Sequence, residues 1–219
     1  MSGFIQSRFQ ELSIEECANT ITHGLGLFLS VIAFFVILVL ASLRGGKLLI
    51  ASCAVYGVSL IILYAASTIY HGTVSPERKR QLQVLDHCCI YLLIAGSYTP
   101  FGLVILDQEL GKTMLLLVWL MAILGMLVKL VIRNRFPIIS VTSYLLIGWI
   151  GAFALPMLLS VLGFAAIALA VAGGIAYSLG VIFFAWRQFP HNHAIFHVFV
   201  LAGSILHFLA VAFYVIPIV

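Results

Sequence analysis

The chain has 219 residues, 63% of them hydrophobic and 8% charged, with a formal net charge of +4 and a mean hydropathy of +1.21. A soluble domain carries about 25% charged residues, so the composition excludes an ordinary soluble enzyme and predicts an integral membrane protein of spanning helices about 20 residues long. The basic residues lie in loops, which is a topology signal rather than a sign of nucleic-acid binding, and no polar stretch is long enough to fold as a soluble domain.

In chain order, residues 1–19 read as a polar tail of mixed charge rather than a cleavable signal peptide. Ser13-Ile14-Glu15-Glu16 fits a capping box, which predicts a short helix from Ile14, lying along the membrane surface on Phe4, Ile5, Phe9 and Leu12. A single transmembrane domain is expected over 20–219. Spans are predicted at about 20–43, 48–70, 86–106, 113–132, 137–159, 161–186 and 192–216. The loops between them carry Arg44 to Lys47, Glu77 to Arg80, Asp107 to Lys112, Arg133 to Arg135, and Arg187 to Pro190. Between spans five and six only Ser160 and Gly163 give punctuation. Pro100 predicts a kink in span three, whose small residues around Gly96 suit close helix contact.

The expected fold is therefore all-α, a polytopic bundle of seven transmembrane helices. Seven spans put the termini on opposite sides. A cytoplasmic N-terminus places Arg8, Arg78, Lys79, Arg80, Lys129, Arg133, Arg135 and Arg187 inside, against Arg44, Lys47 and Lys112 outside. The eight-to-three asymmetry favours that orientation.

His193-Ala-Ile-Phe-His197 opens the last span. Residues four apart share a helix face, so the two imidazoles can share one metal ion. Ser204 and His207 fall within about 20° and 40° of His193 on a helical wheel. Histidine within a span is costly and points to function, although two core histidines bonded to backbone remain the plainer alternative. The expected orientation brings His71, at the end of span two, and Asp86, at the start of span three, to the same depth as His193 and His197. Ser67 lies one turn before His71. Three neutral imidazoles leave the fourth position of a tetrahedral Zn²⁺ open, the arrangement of catalytic zinc, though imidazole also suits Cu, Fe and Ni. A nearby carboxylate can take a proton from water or orient a ligand.

Ser67-x3-His71, then Asp86-His87-x2-Ile90 running to Ala95-Gly-Ser-Tyr-Thr-Pro100, then His193-x3-His197, resemble the hemolysin III family, the bacterial branch of the progestin and adipoQ receptor family. Glu15-Glu16-x2-Asn19-x3-His23-Gly24 resembles its N-terminal signature, and the match runs over nearly the whole chain. The resemblance implies His71, His193 and His197 as zinc ligands, Asp86 reaching the metal through water, and Ser67 in the same cluster. The family is similar to alkaline-ceramidase-like hydrolases. Its receptor members are linked to ceramide hydrolysis, its bacterial members to membrane homeostasis, and the family name to cytolysis. The chain lacks the longer N-terminal region of the animal receptors, so adiponectin binding does not carry over.

Other polar residues have plainer readings. His87 points about 100° away from Asp86 and is expected to pack at the interface. Lys129 is expected to snorkel to the inner surface. His207 lies roughly 20 Å along the helix from His193, too far to share its metal. His23 reads equally as a group near the metal or as a helix-end histidine. Cys88 and Cys89 read as small core residues, His191 as a loop residue, and Tyr98, Thr99, Tyr144 and Tyr177 as packing. Ser67 could simply bond the carbonyl one turn back.

Three functions fit the pattern. A zinc-dependent hydrolase of lipid amides, in the bacterial inner membrane, would take substrate from the inner leaflet and use Asp86 as proton acceptor. A lipid-sensing regulator or receptor would use zinc structurally. A pore is the third, and the crowding of ionisable groups at one depth counts against a monomeric channel. Membrane lipids are the expected partners in each, and the oligomeric state is not set by the sequence.

Overall fold

The computed structural model describes residues 12–106, 108–133 and 135–218, and every long element among them is a helix. Phe4, Ile5, Phe9 and Arg8 lie outside the described residues. Helix α1 spans Ile14–Arg44. It begins where expected because Ser13, in extended conformation, accepts a hydrogen bond from the Glu16 backbone N–H at 3.2 Å. It ends at Gly45-Gly46, both at positive φ, a conformation open to glycine. The expected boundary at residue 19 falls inside this continuous helix. Ile21, Leu25, Phe28, Ile32, Phe35 and Val39 form its exposed apolar stripe, at the three- and four-residue spacing of one helix face turned to lipid.

Helix α2 spans Lys47–His71, and α3 spans Pro76–Pro100 with proline at its first turn. Past Pro100 the coil widens into a π-helical turn, Phe101–Ile105, where the sequence predicts a kink. Helix α4 spans Gln108–Ile132 and stops at Arg133, which has a φ of 51°. Helix α5, Pro137–Gly148, passes through a 3₁₀ turn, Ile150–Ala154, into α6, Leu155–Ala185. Helix α7 spans Asn192–Ala210 and widens into a π turn, Val211–Val215.

Six segments of the described residues are long and apolar enough to cross a membrane: Ile14–Arg44, Lys47–His71, Pro76–Ile105, Glu109–Ile132, Pro137–Ala185 and Asn192–Ile218. The protein is thus a polytopic all-α membrane protein. The fifth segment holds 49 residues, against about 20 for one crossing. Its path breaks at Gly163 (φ 79°, ψ 172°), one of the two punctuation residues in that stretch. Trp149 Nε1 donates to Ser178 Oγ at 3.1 Å. In an unbroken helix those residues would stand about 43 Å apart, so the chain folds back on itself at Gly163.

Close approach between helices depends on small residues, as it does where lipid removes the hydrophobic drive for helix association. A methyl at Gly26 would overlap the Tyr64 ring, so the bare glycine lets α1 and α2 meet there. Deeper in the bundle, Tyr64 donates to Ser204 Oγ at 2.8 Å, and the Tyr177 hydroxyl lies 2.9 Å from the same oxygen. This junction ties α2, α6 and α7 together around buried Ser204.

Candidate metal centre and its cavity

His71 closes α2, while His193 and His197 occupy the first turns of α7. One ligand nitrogen from each lies within 4.8 Å of the other two, a three-histidine group able to hold a metal ion. In such a triangle a central ion sits at most about 2.8 Å from each nitrogen, against a Zn–N bond of about 2.0–2.1 Å, so side-chain shifts of about 0.7 Å close the site.

The ring orientations also fit. The carboxylate of Glu16, one turn into α1, lies 2.6 Å from His71 Nδ1. A carboxylate only accepts, so Nδ1 carries the proton and Nε2 keeps its lone pair. That Nε2 is buried with no hydrogen-bond partner. A buried ring nitrogen without a partner is costly unless something binds it. Glu16 also pairs with Lys79 Nζ at 2.9 Å, and Lys79 reaches back to the His71 carbonyl at 3.4 Å. His197 Nδ1 lies 3.1 Å from Thr22 Oγ1. The threonine proton is committed to the Ala18 and Asn19 carbonyls, so the imidazole donates and its Nε2 is likewise the free one. Carboxylate and hydroxyl acceptors behind metal-binding histidines fix tautomer and ring direction in this way.

His23 joins the group from α1. Its ring stacks on His197 at 3.4 Å between centroids, and its Nδ1 lies 2.6 Å from Ser67 Oγ. Ser67 is fully buried and bonds His23 across the site, from α2 to α1. Asp86 and Ser67 line the same cavity as His193 and His197. The five residues singled out in the sequence thus lie together, on α2, α3 and α7.

The cavity has a volume of about 380 Å³ and runs from the histidines past Trp149 and Leu155 to His207. Its lining is mainly apolar beyond Asp86, as in sites for small amphipathic ligands. His207 lies ten residues beyond His197, roughly 15 Å deeper. There its Nε2 bonds the Ala170 carbonyl at 3.0 Å.

Three side chains depart from expectation. His87 does not simply pack at the interface: its ring lines the cavity while Nδ1 bonds the Gln83 carbonyl one turn back. Lys129 does not snorkel. It is 2% exposed, lines the cavity and donates to Ser140 Oγ at 3.3 Å, because α3 and α5 cover its stretch of α4. Tyr98 does more than pack: it donates to the Gly148 carbonyl and accepts from Gly151 N–H, holding the break between α5 and the 3₁₀ turn.

Sequence reasoning gave Glu16 only a capping role and left Thr22 without one. The available signal was spacing: Glu16, Asn19 and His23 recur at three and four residues, a polar stripe on an otherwise apolar helix.

Comparison with known proteins matches a sequence model described as haemolysin-III related over residues 13–208. The chain is 43% identical to Hemolysin-3 of Bacillus cereus over 211 residues, 96% of each chain. It is 41% identical to Hemolysin-3 homolog of Bacillus subtilis (strain 168), over 93% of this chain and 96% of that one. It is 28% identical to monocyte to macrophage differentiation factor of Homo sapiens, over 93% of this chain and 86% of the other.

Proposed function

The chain belongs to the haemolysin-III related family, and from that premise we propose that it is a zinc-dependent hydrolase of lipid amides. In this reading it crosses the bacterial inner membrane seven times, with its N-terminus cytoplasmic. The segment Pro137–Ala185 counts as two crossings folded at Gly163, and the loop charges set the orientation.

The observation that carries the proposal is the buried, unpartnered Nε2 of His71 facing two further imidazoles at the head of an apolar cavity. His71, His193 and His197 would hold the zinc. A bound zinc ion supplies Lewis acidity for a carbonyl and acidifies water near neutral pH. The chain's own contribution lies in Asp86, Ser67 and the cavity. The acyl chain lies among the apolar side chains toward His207, which leaves the amide beside Asp86. The Asp86 carboxylate takes a proton from the attacking water as the carbon–oxygen bond forms. It returns that proton to the amine nitrogen as the carbon–nitrogen bond breaks, giving a fatty acid and an amine. Ser67, bonded to His23 and lining the cavity with Asp86, is the side chain that would steady the carboxylate.

A second reading is favoured by one arrangement. Glu16 to His71 and Thr22 to His197 tie α1, α2 and α7 at the cluster, which suits a structural metal in a lipid-sensing regulator. A pore has less support, because the histidines, Asp86 and Lys129 crowd one end of the cavity and His207 alone of the histidines lies deeper.

Asp86→Asn separates the first two readings. The hydrolase reading expects a folded, metallated variant that releases fatty acid from a lipid amide about 10²–10⁴-fold more slowly than the wild type. No fatty acid from the wild type, with any lipid amide offered, would refute it.

A further inference from the structure

Lys129 stands on α4, four residues before Arg133, yet only 2% of it is exposed. An ammonium at a helix end can reach water through its flexible stem. This one instead faces the cavity, in company with Asp86, His87, Ser140 and Tyr144. Its hydrogen bond to Ser140 Oγ is long, at 3.3 Å. Both ion pairs of the described residues belong to Glu16, so Lys129 has no carboxylate in direct contact. Asp86 lines the same cavity but makes no ion pair with it. An ammonium offers three donors, and a buried one is costly unless an anion and further acceptors satisfy it. A second cation, Arg187, is exposed and lines the same cavity. The lining thus holds two full positive charges against the one of Asp86, and beyond them it turns apolar through Leu145, Leu155 and Val171.

We propose that Lys129 and Ser140 bind the anionic head group, a carboxylate or a phosphate, of an amphiphile whose chain lies in the apolar depth of the cavity. The ammonium supplies the charge and its two uncommitted donors, Ser140 a hydroxyl, and Arg187 attracts the head group at the exposed rim. This assignment rests on the cavity and its cations, not on a metal at the histidines.

Isothermal titration of the full-length protein in a neutral maltoside detergent tests it, with dodecanoate, dodecyl phosphate and dodecanol as probes. Dodecanoate or dodecyl phosphate, or both, should bind, and dodecanol at least about tenfold more weakly. Whichever anion binds identifies the head group. Lys129→Met should weaken that binding by about 10–100-fold, the range for a hydrogen bond to a charged group, and Lys129→Arg should restore most of it. Chelation of bound metal should leave the affinity within about twofold. Dodecanol binding as tightly as the anions, no binding by either anion, full affinity in Lys129→Met, or loss of affinity on chelation would each overturn the assignment. The last outcome would place the anion on the metal and leave the hydrolase reading standing. Should Lys129→Met fail to fold, Ser140→Ala carries the test: an affinity about threefold or more weaker supports the assignment, and an unchanged one overturns it.

Discussion

His71 and Glu16 meet at 2.6 Å, from the last turn of α2 to the first turn of α1, and this contact decides which nitrogen of His71 faces the cluster. With the proton held on Nδ1, Nε2 is the atom left free to take a metal ion. Glu16→Ala frees the ring to rotate and to change tautomer. Losing such a carboxylate typically costs about 10–100-fold in metal affinity. Competition with a chelator of known affinity should show that loss, while Glu16→Gln, whose amide oxygen still accepts, should lose less. Equal affinity in wild type and Glu16→Ala would remove the orienting role.

The fold at Gly163 makes a second prediction. No atom lies within 4 Å of a methyl built there, so overlap is no obstacle to Gly163→Ala. Its backbone, at φ 79° and ψ 172°, lies in a region that is nearly glycine's alone, worth about 1–3 kcal/mol of strain for other residues. Gly163→Ala should therefore lower the thermal midpoint in detergent, while Gly148→Ala, also with open space around it but without positive φ, should change it little. Equal midpoints would mean that the chain does not turn there.

Gly26 tests packing instead of backbone. A methyl at that position overlaps the Tyr64 ring, whose hydroxyl holds Ser204. Overpacking costs about 1–3 kcal/mol, so Gly26→Ala should destabilise, and shortening the neighbour in Gly26→Ala/Tyr64→Leu should recover part of the loss. Thermal unfolding of wild type, Gly26→Ala, Tyr64→Leu and the double variant gives the coupling. Strict additivity of the two single changes would contradict the contact.

The spans and the histidines were legible in the sequence for different reasons. Apolar runs bounded by charge give helices at once, and ionisable residues stand out in lipid-facing composition. Gly163 was visible as punctuation, but its role needed the Trp149–Ser178 bond, which no local pattern encodes. Glu16 was masked because Ser13-x2-Glu16 satisfies a local motif, whereas its carboxylate is spent on residues 55 and 63 positions away. Lys129 was misjudged because snorkelling follows from depth alone. Whether a helix end is open to water depends on its neighbours, here α5 with Ser140.

His207 distinguishes the cavity's two ends. It bonds the Ala170 carbonyl and packs against Gly173, far from the cluster. His207→Leu should keep the metal content of the wild type and lose stability or lipid binding instead. A sharp fall in metal content in a folded His207→Leu protein would contradict the placement of the ion at the head of the cavity.

Metal analysis of purified protein tests the central claim most directly. Wild type should carry about one zinc per chain, and His71→Ala, His193→Ala and His197→Ala should each lose most of it, since each removes one of the three histidines that would hold it. Full occupancy in a folded His193→Ala/His197→Ala double variant, or a wild type without metal after purification free of chelators and growth with zinc, would contradict it.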